Sequence, residues 1–313
     1  MSLKILTGSA NPTLAEKISG KLGVQLAQRI LERFPDGELH IELQESVRGH
    51  DVYLVQPTSP PVDEHLFELL LMADACRRAG AIHLTAVIPY LGYARQERRA
   101  HGREPLSVRL IADLLATSGI QRVVAVDLHS QGVESAFPIP VEHLSAVPTL
   151  AEAVRSSVPR NAVVVSPDLG AVKMAERYAK LLDLPVAIVH KTRISGAEVN
   201  VQRIVGDVRD KQVLIVDDMI STGGTIEKAI KALLEVGCLS SGIKVAASHG
   251  LLVGPAAERL GKLPIEKIYA SNSVPTPDRF PLPIEVRSLA ELLAETIQRL
   301  HASESIAGLI GRH

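Results

Sequence analysis

The chain has 313 residues and a formal net charge of −1, a length that suggests two domains of about 150 residues each. Near-neutral charge excludes a global basic field for nucleic acid or an anionic membrane. Aromatic residues make up 3% of the sequence, with no Trp, so the platforms on which single-stranded nucleic acid stacks are absent.

The first residues, MSLKILTGSANP, lack the roughly 7–15-residue apolar core of a signal peptide. No apolar run approaches the roughly 18–20 residues of a membrane-spanning helix. Cys76 and Cys238 stand far apart without metal spacing, a usage that fits a reducing compartment. The expectation is a cytoplasmic protein with neither membrane nor nucleic acid as partner.

Along the chain, RFPDGE (33–38) has the composition of a tight turn. Apolar, β-branched runs then recur at 51–57, 82–90, 122–129, 162–168, 185–191, 212–218 and 243–250, and helix-patterned stretches such as VDEHLFELLLMADACRRAG (62–80) and LSVRLIADLLATSG (106–119) lie between most of them. Near-continuous apolar strands alternating with helices predict an α/β fold, each sheet mostly parallel and flanked by helices. RVVAVDLHSQG and QVLIVDDMISTGG repeat one form: apolar strand, acid, short turn, glycine. Two similar domains are therefore expected, with a boundary in FPIPVEHLSAVPTL (137–150), dividing the chain into 1–145 and 146–313. The Pro-rich 271–283 reads as a loop before a last helix at about 288–302, which is free to pack back on the N-terminal domain.

In such sheets ligands bind at the carboxyl ends of the strands. Tyr90, Asp127, His129, Asp168, Lys191, Asp217 and Asp218 fall at those ends. The densest cluster is VDDMISTGGT (216–225). Small residues at a strand-to-helix turn let backbone N–H groups approach an anion, and the helix N-terminus adds partial positive charge. Ser221, Thr222, Gly223, Gly224 and Thr225 therefore suit a phosphate monoester, while Asp217 and Asp218 can accept bonds from vicinal hydroxyls. A molecule with a phosphate at one end and two hydroxyls at the other is ribose 5-phosphate. A plain N-capped helix after a turn needs neither the paired acids nor both glycines. No strand is followed by G-x-G-x-x-G, which excludes a Rossmann dehydrogenase.

That loop resembles the phosphoribosyl-diphosphate loop of type I phosphoribosyltransferases. With RFPDGELHIELQESVRG (33–49), IPYLGYARQERR (88–99), VVAVDLHSQ (123–131), VVVSPDLGAV (163–172) and KTR (191–193), the chain resembles the ribose-phosphate diphosphokinases from residue 3 to about 307. The resemblance implies a type I phosphoribosyltransferase-like fold and transfer of the diphosphoryl group of Mg²⁺·ATP to the anomeric hydroxyl of ribose 5-phosphate. By similarity, Lys191 is the leading catalytic residue, with Arg193 beside it and also near ribose 5-phosphate. Phe34, Asp36, Gly37 and Glu38 reach ATP bound to a neighbouring subunit. Arg95, Gln96 and Arg98 contact adenine and phosphate, and His129 and Asp168 ligate Mg²⁺. The same resemblance favours a homohexamer made of dimers. The alternatives are a phosphoribosyl-diphosphate-consuming transferase, which would not need YARQERR, VDLHSQ and KTR together, and a non-catalytic regulatory subunit, which is expected to lose Lys191, Arg193 or His129.

The chain departs from the family pattern in three places. Glu97 stands where Asp is usual, and Ser221 stands where the common bacterial loop has Asp. Ser46, Arg48 and Ser305 match an allosteric anion site, but Gly80 and Ala307 replace serines there. Weakened phosphate activation and ADP inhibition are expected.

Overall fold

A computed structural model describes residues 2–99, 101–194 and 199–310; the side chains of 191–194 and 199–202 lie outside that description. The chain divides into Met1–Ser145 with Ser288–His313, and Ala146–Arg287. The first unit runs β1 (Leu3–Thr7), α1 (Pro12–Leu22), β2 (Arg29–Arg33), β3 (Leu39–Leu43), β4 (Asp51–Val55), α2 (Val62–Arg78), β5 (His83–Ile88), α3 (Ser107–Thr117), β6 (Arg122–Val126), α4 (Gly132–Ser135) and β7 (Val141–Leu144). The second contains α5 (Val147–Arg155), β8 (Val163–Ser166), α6 (Val172–Leu182), β9 (Val186–Ile194), β10 (Val199–Val205), β11 (Val213–Ile220), α7 (Gly224–Glu235), β12 (Ile243–Gly250), α8 (Ala256–Leu260), β13 (Ile265–Ser271) and β14 (Ile284–Arg287). The last helix, α9 (Ala290–His301), belongs to the first unit.

In the first unit a five-stranded sheet, in the order β1-β4-β5-β6-β7, is parallel throughout. Every residue of β4 is buried, as is all of β5 after His83. Burial on both faces explains why these strands are continuously apolar rather than alternating. Leu66, Leu69, Met72, Ala73 and Cys76 line the buried face of α2, the i, i+3, i+4 stripe of a helix laid on a sheet. α9 is tied to this unit by a Lys21–Glu291 ion pair and by His301 Nδ1, which donates to Asp51 Oδ2 at 2.7 Å. β2 and β3 form a separate antiparallel hairpin. Polar and apolar residues alternate in LHIEL, and charged residues flank the two apolar ones of RILER, a pattern milder than that of the sheet strands.

The second unit holds a seven-stranded sheet in the order β10-β9-β8-β11-β12-β13-β14, parallel except for β10 on β9. β8 pairs with β11 only over Val213–Ile215, whereas β12 stays paired with β11 through Ile220. β11 therefore does not stop at its acids, as the sequence implied. Pairing with β12 carries Asp217 and Asp218 as strand residues beyond the end of β8. β9 likewise extends past the expected residue 191 to Ile194, because β10 pairs with it there.

Candidate active site

The mouth of the second sheet is built on β8, β11 and the turn after β11. Asp168 follows β8, and its Oδ1 accepts Gly170 N–H at 2.9 Å and Ala171 N–H at 3.4 Å, shaping the entry to α6. On β11, Asp217 Oδ1 accepts the backbone N–H of Asp218 at 2.9 Å. Burial is the main cause that holds the Asp217 carboxyl well above the usual carboxylate range. The charge and hydrogen bond of Asp218 add to it, and so does the charge of Asp168. Three carboxylates thus act on one another at one strand mouth, an environment that favours hydroxyl donors or a cation.

Beyond Ile220 the chain turns through Ser221 and Thr222 into α7. Gly223 has φ +75°, and a Cβ there would come within 2.9 Å of Leu260 Cγ. Both the left-handed backbone and the close approach require glycine. Gly223 provides no capping side chain, and α7 starts without a side-chain cap. An uncapped start is the rule among the described helices; what sets α7 apart is the glycine pair and the hydroxyls of Ser221, Thr222 and Thr225 that surround its first-turn N–H groups. The turn is braced from outside: Val253 N–H donates to Ser221 O at 3.0 Å, and Arg259 Nη1 to Thr222 O at 3.3 Å. Glu227, the acid of the first turn, is engaged by Lys231 at 2.7 Å and by Arg259 at 3.7 Å. Sequence reasoning missed Arg259. It lies in the five-residue α8, outside every motif, and only the fold brings its guanidinium to this turn.

In the first unit, Asp127 at the end of β6 has φ +36°, and its Oδ1 accepts Ser145 Oγ at 2.7 Å. Leu128 N–H donates to His143 Nε2 at 2.9 Å, and His129 is exposed. Ser130 Oγ donates to Glu97 Oε2, which joins the 127–132 turn to the loop of Arg95, Gln96 and Arg98. The longer acid at 97 thus has a local partner. Arg95, Gln96 and Arg98 are exposed, with the Gln96 amide oriented by Ser107 Oγ, which donates to its Oε1 at 2.6 Å.

Phe34, Asp36, Gly37 and Glu38 form the tip of the β2–β3 hairpin, held by its own bonds. Phe34 N–H donates to Glu38 O at 2.9 Å, and Asp36 Oδ1 accepts Glu38 N–H at 3.1 Å. Gly37 supplies φ +94°. Phe34 is 46% exposed, its ring 5.1 Å from that of His40. The backbone of Lys191 and Arg193 lies in β9; their side chains fall outside the described part, as do residues 195–198 and the side chains of 199–202.

The structure thus gathers Asp168, Asp217, Asp218 and 221–225 in one unit, and Glu97, its neighbours and the His129 turn in the other. Burial pushes the Cys76 thiol up to about 12 and raises that of Cys238, which argues against thiolate chemistry. Among the described residues, no group of three or more His, Cys, Asp or Glu is arranged to hold a metal ion alone, and no helix is long and apolar enough to cross a membrane. An all-oxygen set of one or two carboxylates nonetheless fits Mg²⁺, which keeps several waters and takes further ligands from substrate phosphates. Asp168, a carboxylate at the mouth of β8, supplies such an oxygen, whereas the exposed His129 would add a nitrogen donor, a less usual ligand for so hard an ion.

Comparisons with known proteins bear on the whole chain. The family model for the N-terminal domain of ribose phosphate pyrophosphokinase matches residues 3–119, and the phosphoribosyl transferase domain matches 143–268. A ribose-phosphate pyrophosphokinase of Nostoc sp. is 44% identical over 310 residues, spanning 98% of this chain and 93% of that one. One from Caldanaerobacter subterraneus is also 44% identical, with 98% of each chain covered. The phosphoribosylpyrophosphate synthetase of Mycobacterium smegmatis, a crystal structure, superimposes with a TM-score of 0.89 at 38% identity, covering 97% of this chain and all of that one.

Proposed function

The chain belongs to the ribose-phosphate pyrophosphokinase family, and from that premise and the geometry of its two strand mouths we propose how it performs diphosphoryl transfer. ATP and ribose 5-phosphate are the substrates. The anomeric oxygen attacks the β-phosphorus and its O–H releases the proton. The bond from the β-phosphorus to the oxygen of AMP breaks, giving 5-phosphoribosyl 1-diphosphate and AMP.

The carrying observation is the glycine turn at 221–225 directly after the paired acids, with a left-handed Gly223 leading straight into the twelve-residue α7. The 5-phosphate rests on the N–H groups of Gly224 and Thr225 and on the hydroxyls of Ser221, Thr222 and Thr225. Asp217 and Asp218 accept from the ribose hydroxyls. A raised carboxyl beside two other acids gains from such donors. Ser221 puts a hydroxyl donor, rather than a further acid, beside the phosphate, so the turn keeps its function.

Lys191 and Arg193 steady the departing adenylate, and Arg193 also serves ribose 5-phosphate. Phosphoryl transfer depends mainly on positioning and electrostatics, so these cations carry a large share of the acceleration. Phe34, Asp36, Gly37 and Glu38 reach the nucleotide of a neighbouring subunit, a role suited to an exposed hairpin tip. Arg95, Gln96 and Arg98 complete the ATP site. By the family resemblance His129 and Asp168 would hold Mg²⁺, which would neutralise triphosphate charge and polarise the transferred phosphorus. The assembly is a homohexamer made of dimers, with the ATP site shared between subunits. Its setting is the cytoplasm, where two buried, unpaired cysteines stay reduced.

Product analysis with ribose 5-phosphate, Mg²⁺ and ATP tests this reading. AMP should form in step with phosphoribosyl diphosphate, and Lys191→Ala should lower turnover by about 10³-fold. ADP as the main product means that a single phosphoryl group moves, and the assignment is then wrong.

A further inference from the structure

The turn between β6 and β7 presents His129, yet the bonds that shape it come from side chains to which the reaction above gives no role. Leu128 N–H donates to His143 Nε2 at 2.9 Å, and His143 Nδ1 lies 2.8 Å from Glu134 Oε1. The first bond settles the ring chemistry. A nitrogen that accepts a backbone N–H must present its lone pair, so the ring hydrogen sits on Nδ1 and is donated to Glu134. Leu128 immediately precedes His129, and Glu134 lies in α4, where the turn closes. One imidazole, carried on β7 opposite Ala125, therefore ties down both ends of the segment that presents His129. The pair is largely shielded, with side-chain exposures of 17% and 16%, whereas His129 itself is exposed.

These bonds are not needed to pair the strands. β6 and β7 are already joined through Val123–Val126 and Val141–Leu144. What His143 adds falls beyond the strand end, next to Asp127, a non-glycine residue at φ +36°. Such a backbone persists only where its surroundings hold it, and here Ser145 holds the acid while His143 holds the next peptide.

We infer that His143, its ring hydrogen directed by Glu134, is a positioning residue that fixes the peptide at Leu128 so that His129 faces the nucleotide phosphates. The inference rests on the role given to His129 above. Groups that orient a ligating histidine without touching the ligand commonly matter by about 10–100-fold.

Steady-state kinetics of the full-length enzyme, together with ¹⁵N-histidine spectra, test it. His143→Leu should lower kcat/KM for Mg·ATP by about 10–100-fold while leaving the KM for ribose 5-phosphate unchanged. His143→Gln, whose amide oxygen can accept the Leu128 N–H, and Glu134→Gln, whose amide oxygen still accepts from Nδ1, should recover most of the activity; Glu134→Ala should not. The spectra should show a histidine protonated on Nδ1 with a bare Nε2, and that signal should vanish in His143→Gln. A folded His143→Leu enzyme with wild-type kcat/KM overturns the inference, and so does a His143 ring carrying its hydrogen on Nε2. If His143→Leu does not fold, the Glu134 pair and the spectra decide. Wild-type enzyme that forms no AMP instead sinks the reaction assigned above, and the role of His129 with it.

Discussion

After β6 the chain passes from Asp127 to Gly132 under the control of side chains: Ser145 on Asp127, His143 on Leu128, Glu97 on Ser130. After β11 it passes from Ser221 to Thr225 under the control of backbone: a left-handed Gly223 and carbonyls braced by Val253 and Arg259. Both turns come from the same sequence form, but one is followed by the four-residue α4 and the other by the twelve-residue α7. Only the longer helix sums enough peptide dipoles to favour an anion at its start. The short one offers little field, and the turn before it instead aims a side chain. The comparison teaches that an acid, a turn and a glycine do not specify a device; the length of the following helix and the source of the bracing bonds do.

The comparison breaks if the two turns respond alike to substitution. The largest effect is expected at the side-chain turn, where His129→Ala should lower kcat by about 10²-fold and leave the KM for ribose 5-phosphate nearly unchanged. A mainly raised KM for the sugar phosphate would erase the distinction. At the backbone turn, Gly223→Val should act on binding and on folding together. It forces a β-branched residue to φ +75° and a Cβ against Leu260, so unfolding by urea should show a loss of about 2 kcal/mol. The KM for ribose 5-phosphate should rise by about tenfold or more, one decade in affinity corresponding to about 1.4 kcal/mol. Arg259→Ala, which removes an exposed brace and a nearby cation, should raise that KM only about two- to fivefold, less than about 1 kcal/mol. The smallest effect concerns regulation. Gly80 carries no hydroxyl to hold an anion against Arg48, and its φ of +87° with Arg48 Nη1 3.0 Å from where a Cβ would lie disfavours any side chain there. Titrating inorganic phosphate against carefully phosphate-free enzyme should change turnover by only about twofold, because losing one bond to a charged group, worth about 1.5–3 kcal/mol, weakens anion binding by roughly ten- to hundredfold.

The buried parallel strands were legible because burial on both faces leaves an uninterrupted apolar run. Outside the expected seven strands, β1, β7 and β14 are only partly buried, so no uninterrupted apolar run marks them. β2 and β3 are interrupted by charge, since only part of the hairpin is covered. The glycine turn could be read from sequence because its chemistry is local: each group that makes it lies within nine residues. Arg259 and His143 could not be read in the same way. They reach Thr222 and Leu128 from 37 and 15 residues away, and only sheet order brings them there. The extension of β11 through its acids was also hidden, because it depends on β12 outlasting β8 as a partner.

A crystal structure of the enzyme soaked with ribose 5-phosphate puts the main premise to the most direct test. The sugar's phosphate should lie within about 3 Å of the N–H groups of Gly224 and Thr225, with its ring hydroxyls toward Asp217 and Asp218. Sugar density at another place, with nothing seated at the start of α7, would contradict the account.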